Sequence, residues 1–70
     1  MQATLEYVFP NEEARDVVFD WVVKTFADMP AGETLEAIRL PAKLSKSKGP
    51  TLIVRTNSEE AAIQILEMAS

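Results

Sequence analysis

The sequence predicts one α+β domain, a two-layer β-α-β-β-α sandwich with a three-stranded sheet and two helices on one face. Three observations predict it. Apolar residues alternate over residues 2–9 and 33–41, the period of half-buried strands, and residues 51–56 are dense in β-branched side chains. Two stretches carry apolar stripes at helical spacing behind a capping residue and paired acids. The chain also contains a gapless weak copy of itself. Leu5-Glu6-Tyr7-Val8-Phe9-Pro10-Asn11-Glu12-Glu13-Ala14 aligns with Leu52-Ile53-Val54-Arg55-Thr56-Asn57-Ser58-Glu59-Glu60-Ala61, and Val18 and Phe19 then fall on Ile65 and Leu66.

Each element has a local reason. Ala3, Leu5, Tyr7 and Phe9 alternate with Thr4, Glu6 and Val8 in the first strand, which Pro10 ends. Asn11 is a good N-cap, and Glu12, Glu13 and Asp16 suit the positive end of the helix behind it. That helix is expected over residues 12–29, with Ala14, Val18, Trp21, Val22, Thr25 and Met29 inward, ending at Met29-Pro30-Ala31-Gly32. In the second strand Leu35, Ala37 and Arg39 alternate with Glu36, Ile38 and Leu40, and Pro41 closes it. A polar connection over residues 42–50 leads to the β-branched third strand. A second helix over residues 59–69 turns Ala62, Ile65, Leu66 and Ala69 inward.

The helical crossover places the first two strands parallel, and the short second connection makes the last two antiparallel. This order resembles the ferredoxin-like sandwich without its fourth strand. The resemblance implies that the third strand lies centrally and that the first becomes a sheet edge.

Composition narrows the chemistry. The 70 residues hold no cysteine and no histidine, which removes disulfides, the thiolate and imidazole ligands of structural zinc, and the usual nucleophile–base pairs. Gly32 and Gly49 are the only glycines, so no phosphate-cradling loop is present. The expectation is a protein that is not an enzyme and uses no cofactor and no metal. The apolar stretch from Val17 to Ala27 is broken by Asp20 and Lys24 and too short to span a membrane; neither a membrane segment nor a secretory leader is read, so a cytoplasmic location is expected. A net charge of −4 disfavours nonspecific attraction to nucleic acid.

The sequence supports two functional readings. The first is a non-catalytic protein-interaction module, a homodimer or a subunit that accepts a strand along its first-strand edge. Leu5, Tyr7, Phe9, Phe19 and Val23 are its interface candidates, since the apolar arc of the first helix is wider than one small sheet requires. The second reading is a nucleic-acid or phosphate binder. It rests on Lys43, Lys46 and Lys48 in a loop with Ser45, Ser47 and Gly49, extended by Arg39 and Arg55 if both point to the open sheet face.

Lys48-Gly49-Pro50-Thr51-Leu52-Ile53-Val54-Arg55 resembles in position the RNP1 stretch of RNA-recognition motifs, with Leu52 and Val54 in place of stacking rings. That resemblance implies shared layout. The acids Glu12, Glu13, Asp16, Asp20, Asp28, Glu59, Glu60 and Glu67 read as solvated helix faces.

Overall fold

A computed structural model describes residues 1–46 and 48–69. Strand β1 (Ala3–Val8) leads into helix α1 (Glu12–Thr25). Strand β2 (Leu35–Leu40) comes next, then a single 3-10 turn (Ala42–Leu44), strand β3 (Thr51–Thr56) and helix α2 (Glu59–Ala69). The sheet order is β1-β3-β2, and both neighbours of β3 run antiparallel to it. The fold class, the element order and the central place of β3 are as the sequence predicts.

Strand register sorts the side chains. Leu5 lies opposite Val54, Tyr7 opposite Leu52, and Ala37 and Arg39 opposite Val54 and Leu52 on the other side of β3. Cross-strand partners share a face, so these positions form the helix-covered side. There Val22 of α1 and Ile65 of α2 meet Leu52 and Val54, all fully buried. Leu5, Tyr7, Phe9, Val18, Phe19, Trp21, Phe26 and Leu35 pack around them. Helix α1 lies over β2 and β3, and α2 lies over β1 and β3.

The internal repeat is visible atom by atom. Asn11 Oδ1 accepts from the Ala14 N–H at 2.8 Å, and Ser58 Oγ accepts from the Ala61 N–H at 3.2 Å. Both are N-cap bonds three residues into the chain, and both pairs align in the repeat. Glu6 and Ile53, equivalent in the repeat, are direct partners across the sheet. The two strand–helix units are thus related by an approximate two-fold axis through the Glu6–Ile53 pair, normal to the sheet.

Two expectations are revised. Helix α1 ends at Thr25 and not at residue 29. A helix running up to Pro30 would drive the proline ring into the Phe26 carbonyl, and proline also forces Met29 toward extended backbone. The chain leaves the helix at Phe26, whose ring turns in edge-on against Trp21 at 5.8 Å. The Glu33 N–H then donates to the Pro30 carbonyl at 3.0 Å, closing a turn in which Gly32 holds a φ of 87°. In α2 the buried residues are Ala61, Ala62 and Ile65, while Leu66 and Ala69, expected inward, are exposed.

Arg15 is the buried residue that the pattern of acids hid. Its guanidinium donates to the Leu40 carbonyl at 3.1 Å and to Asp16 at 3.0 Å, tying α1 to the end of β2. Asp16 thereby holds an ion pair with Arg15 while its side chain stays 43% exposed.

The two caps give a direct check. Asn11→Ala and Ser58→Ala are each expected to lower unfolding stability by about 1 kcal/mol in urea titrations. The Ser58 change should cost more, because its bond is buried and the Asn11 bond is exposed.

Candidate functional site

The outer edge of β1 is the feature from which a site can be built. The Phe9 N–H donates to the Pro50 carbonyl at 2.8 Å, and these residues lie opposite one another one step beyond the paired positions of β1 and β3. Backbone direction alternates along an antiparallel ladder. Ala3, Leu5 and Tyr7 therefore turn their N–H and C=O groups toward β3. Those of Thr4, Glu6 and Val8 turn away from the sheet, and β1 is one of its edges. Glu6 is the only charge along this strand, so the edge has little of the usual protection against pairing.

Helix α2 adds an apolar flank beside that edge. Ala61, with Glu60 and Gln64 on its α1 side, lines a shallow cleft against Phe26 and Met29 at the end of α1. Leu66 lies on the opposite side of the helix, 100° per residue being the spacing of the turn. Since α2 covers β1, this flank looks toward the free edge. Leu66 is 49% exposed, and Ile63, one turn earlier, is 47% exposed.

The repeat explains why these side chains are uncovered. Leu66 is the equivalent of Phe19. In α1, Phe19 is covered by β2, with the Arg39 guanidinium 4.4 Å from its ring centre. The two-fold relation carries the place of β2 beside β3 onto the outer side of β1. Among the described residues nothing pairs there, and Leu66 has no strand beneath it.

The residues anticipated from the sequence separate into distinct places. Leu5, Tyr7 and Phe9 point into the helix-covered side, so their edge offers backbone groups and not their side chains. Phe19 belongs to the β2 side under Arg39, and Val23, 46% exposed, follows it one turn later on the same face of α1, away from the β1 edge. Ile63 and Leu66 were missed as site residues. The alignment of Phe19 with Leu66 was the signal, obscured because an apolar residue on a helical stripe reads as core.

The five cations are also dispersed. Arg39 lies on the helix side, 3.7 Å from Asp16, whereas Arg55 lies on the open face, 3.7 Å from Glu36. Lys43, Lys46 and Lys48 are exposed in the loop at the far end of the sheet. Four residue steps of strand carry Arg55 about 13 Å from Thr51 at that end. Ser47 lies outside the described residues. The open-face positions are Thr4, Glu6, Val8, Thr51, Ile53, Arg55, Glu36, Ile38 and Leu40, none of them aromatic. Leu52 and Val54, which would hold the stacking rings of an RNA-recognition motif, face the helices.

The loop itself is locally built. Thr51, fully buried, donates to the Gly49 carbonyl at 2.9 Å and shares a 2.7 Å hydrogen bond with the Ser45 hydroxyl. A Cβ on Gly49 would stand 2.7 Å from Val8 Cγ1, so only glycine passes this close to the end of β1.

Among the described residues no cluster of His, Cys, Asp or Glu is arranged to hold a metal ion, and no helix is long and apolar enough to cross a membrane. Comparison of the chain with protein-family models, with curated proteins and with solved structures gave no match.

Tyr7 supplies a test of the packing behind the edge. Its hydroxyl is buried and has no hydrogen-bond partner among the described residues, and burial raises its pKa above the ordinary 10.0. The neutral phenol is favoured in the fold, so this contribution is intact below pH 10 and is lost as pH rises through the elevated folded value. Tyr7→Phe should stabilise the protein by about 1 kcal/mol, by removing a buried hydroxyl that has no partner. It should also remove the part of the alkaline stability loss that tracks the ultraviolet titration of the single tyrosine.

Proposed function

We propose that this chain is a non-catalytic protein-interaction module that takes up an extended strand along the outer edge of β1. The observation that carries the reading is the unequal treatment of two equivalent residues. Phe19 is covered by the strand that succeeds its helix, and Leu66, its counterpart, overhangs an unpaired strand.

An added strand would meet two kinds of complementary surface at once. Thr4, Glu6 and Val8 offer outward N–H and C=O groups for a ladder, which supplies affinity independent of sequence. Leu66 and Ile63 offer apolar surface to every second side chain of the incoming strand, which supplies selectivity. The other edge is less suited. Along β2, Glu36 and Arg39 introduce charge, and Arg39 already covers the adjacent ring of Phe19. The protein would act by completing its sheet, without chemistry of its own.

Photo-crosslinking in cells tests this. A benzophenone side chain is placed in turn at Thr4, Leu66, Val17 and Lys46, all exposed. Protein adducts are expected at Thr4 and Leu66 and are expected to vanish when Glu6→Pro is added. The Glu6 N–H points outward, so proline there blocks a new ladder without breaking the β1–β3 bonds. Adducts confined to Val17 or Lys46, adducts indifferent to Glu6→Pro, or no adducts at any position would each contradict the proposal.

A further inference from the structure

We infer that the strand taken up by β1 is an extended segment of another protein, antiparallel to β1, apolar at every second position and carrying a lysine or arginine opposite Glu6; the inference rests on the proposed uptake of a strand along that edge. The chain's own β2 is the template from which that segment can be read.

The repeat sets the register. It aligns Leu52, Ile53, Val54 and Thr56 of the second unit with Leu5, Glu6, Tyr7 and Phe9 of the first. Opposite those four residues of β3 stand Arg39, Ile38, Ala37 and Leu35 of β2, running antiparallel. The two-fold through Glu6 and Ile53 therefore sets their counterparts in the entering strand opposite Leu5, Glu6, Tyr7 and Phe9, again antiparallel. The counterparts of Leu35, Ala37 and Arg39 fall on the helix side, where Leu5, Tyr7 and Phe9 already pack, and extend that apolar face.

The residue opposite Leu5 is selected where the two units differ. The Arg39 guanidinium lies 4.4 Å from the Phe19 ring centre and 3.7 Å from the Asp16 carboxylate. In α2, Leu66 takes the place of Phe19 and Ile63 takes that of Asp16. A cation entering there would lose water and meet no carboxylate in the place of Asp16. A long apolar side chain (leucine, methionine or phenylalanine) would instead cover both exposed residues.

Charge selects the residue opposite Glu6. Glu6 faces the open side of the sheet, where its partner in β3 is Ile53. Arg55, diagonal to it, lies 3.7 Å from Glu36 on the far side of β3. Among the described residues Glu6 has no ion-pair partner. A lysine or arginine directly opposite would form a stabilising cross-strand pair, and the net charge of −4 draws a basic segment in.

A second copy of this chain does not supply the strand. Helix α1 lies over β2 and β3, and the two-fold carries that ground onto β1 and the vacant place beside it, where α2 lies. Strands β1 and β2 each come with a helix over them. Either one, entering from a copy, would set a second helix where α2 already stands. The segment must arrive with its helix side bare, as a tail or a loop does.

The probe is the peptide acetyl-Ser-Leu-Thr-Val-Lys-Leu-Thr-Ser-amide, whose lysine takes the place opposite Glu6 and whose second leucine that opposite Leu5. It is titrated to millimolar concentration into the nitrogen-15-labelled chain and followed by nuclear magnetic resonance. Shifts are expected at Thr4, Glu6 and Val8, and binding is expected to be lost in Glu6→Pro. Glu6→Lys should weaken this peptide about fivefold and strengthen by a similar factor one with glutamate in place of its lysine. Ile63→Asp should bind a peptide with arginine in place of the second leucine about threefold more tightly than the wild type does. A nitroxide on the peptide N-terminus should broaden Val8 more than Thr4.

No binding of the lysine peptide, shifts confined to the β2 edge, or affinities indifferent to both exchanges would overturn the inferred segment. Broadening of Thr4 over Val8 would overturn its direction. A purified chain that sediments as a dimer, lost on Glu6→Pro, would overturn it in favour of a second copy. The strand-uptake reading survives each of these results if Thr4 and Leu66 still cross-link in cells and Glu6→Pro still abolishes the adducts. Absence of those adducts would remove both.

Discussion

The structure depends on β3 being bonded along both sides. Leu52, Val54 and Thr56 direct their backbone groups to β1, and Thr51, Ile53 and Arg55 direct theirs to β2. Asn57, just past the strand, continues the β2 ladder by donating to the Thr34 carbonyl at 3.3 Å. Four residues of this strand, Thr51, Leu52, Val54 and Thr56, are wholly removed from solvent. Among the described residues no other strand is bonded along both sides, so β3 sets the register of both neighbours. It thereby fixes which side chains face the helices and which backbone groups are left at the sheet edges.

That constraint also converts the internal repeat into geometry. Two strand–helix units of similar sequence meet through Glu6 and Ile53, and the caps and inward residues of one have counterparts in the other. The units differ beyond their helices. After α1 the chain turns through Gly32 and returns as β2, held at its start by the Asn57 side chain. Asn57 accepts from the Thr34 N–H at 2.8 Å and donates to the Gly32 carbonyl at 3.0 Å. After α2 no strand returns among the described residues. The exposure of Leu66 and Ile63 is the local expression of that difference, and it stands on the same side as the unpaired groups of β1.

The strands and the order of elements were legible because period-two alternation, prolines and capping residues all agreed, as in Pro10 with Asn11 behind it. The repeat was legible as well, since Asn11 and Ser58 are different residues with the same capping chemistry. Features governed by tertiary contact were not. Arg39 and Arg55 look alike in sequence. Arg39 shares a face with Leu52 and Arg55 shares one with Glu36 in the register of β2 and β3, which sends them to opposite sides of the sheet. Arg15 interrupts a run of acids in the sequence, and its length lets it reach the Leu40 carbonyl from under the helix. Leu66 fits the inward stripe of α2, and among the described residues no strand lies beneath it. The candidate site was therefore half readable: its backbone edge came from strand count, and its apolar flank required the packed helices.

An unpaired, nearly uncharged strand beside an open apolar helix flank is an arrangement that solvated proteins ordinarily avoid. Pairing would remove both exposures together, which is why the edge and the flank are read as one surface. Amide hydrogen exchange, measured by nuclear magnetic resonance, tests this most directly at single residues. Thr4, Glu6 and Val8 on the outer edge of β1 are compared with Leu35, Ala37 and Arg39 on the outer edge of β2. The account predicts protection at the β1 positions in complex with the partner that cross-links at Thr4, with the β2 positions exchanging freely throughout. Rapid exchange at Thr4, Glu6 and Val8 in that complex, matching the β2 edge, would contradict it.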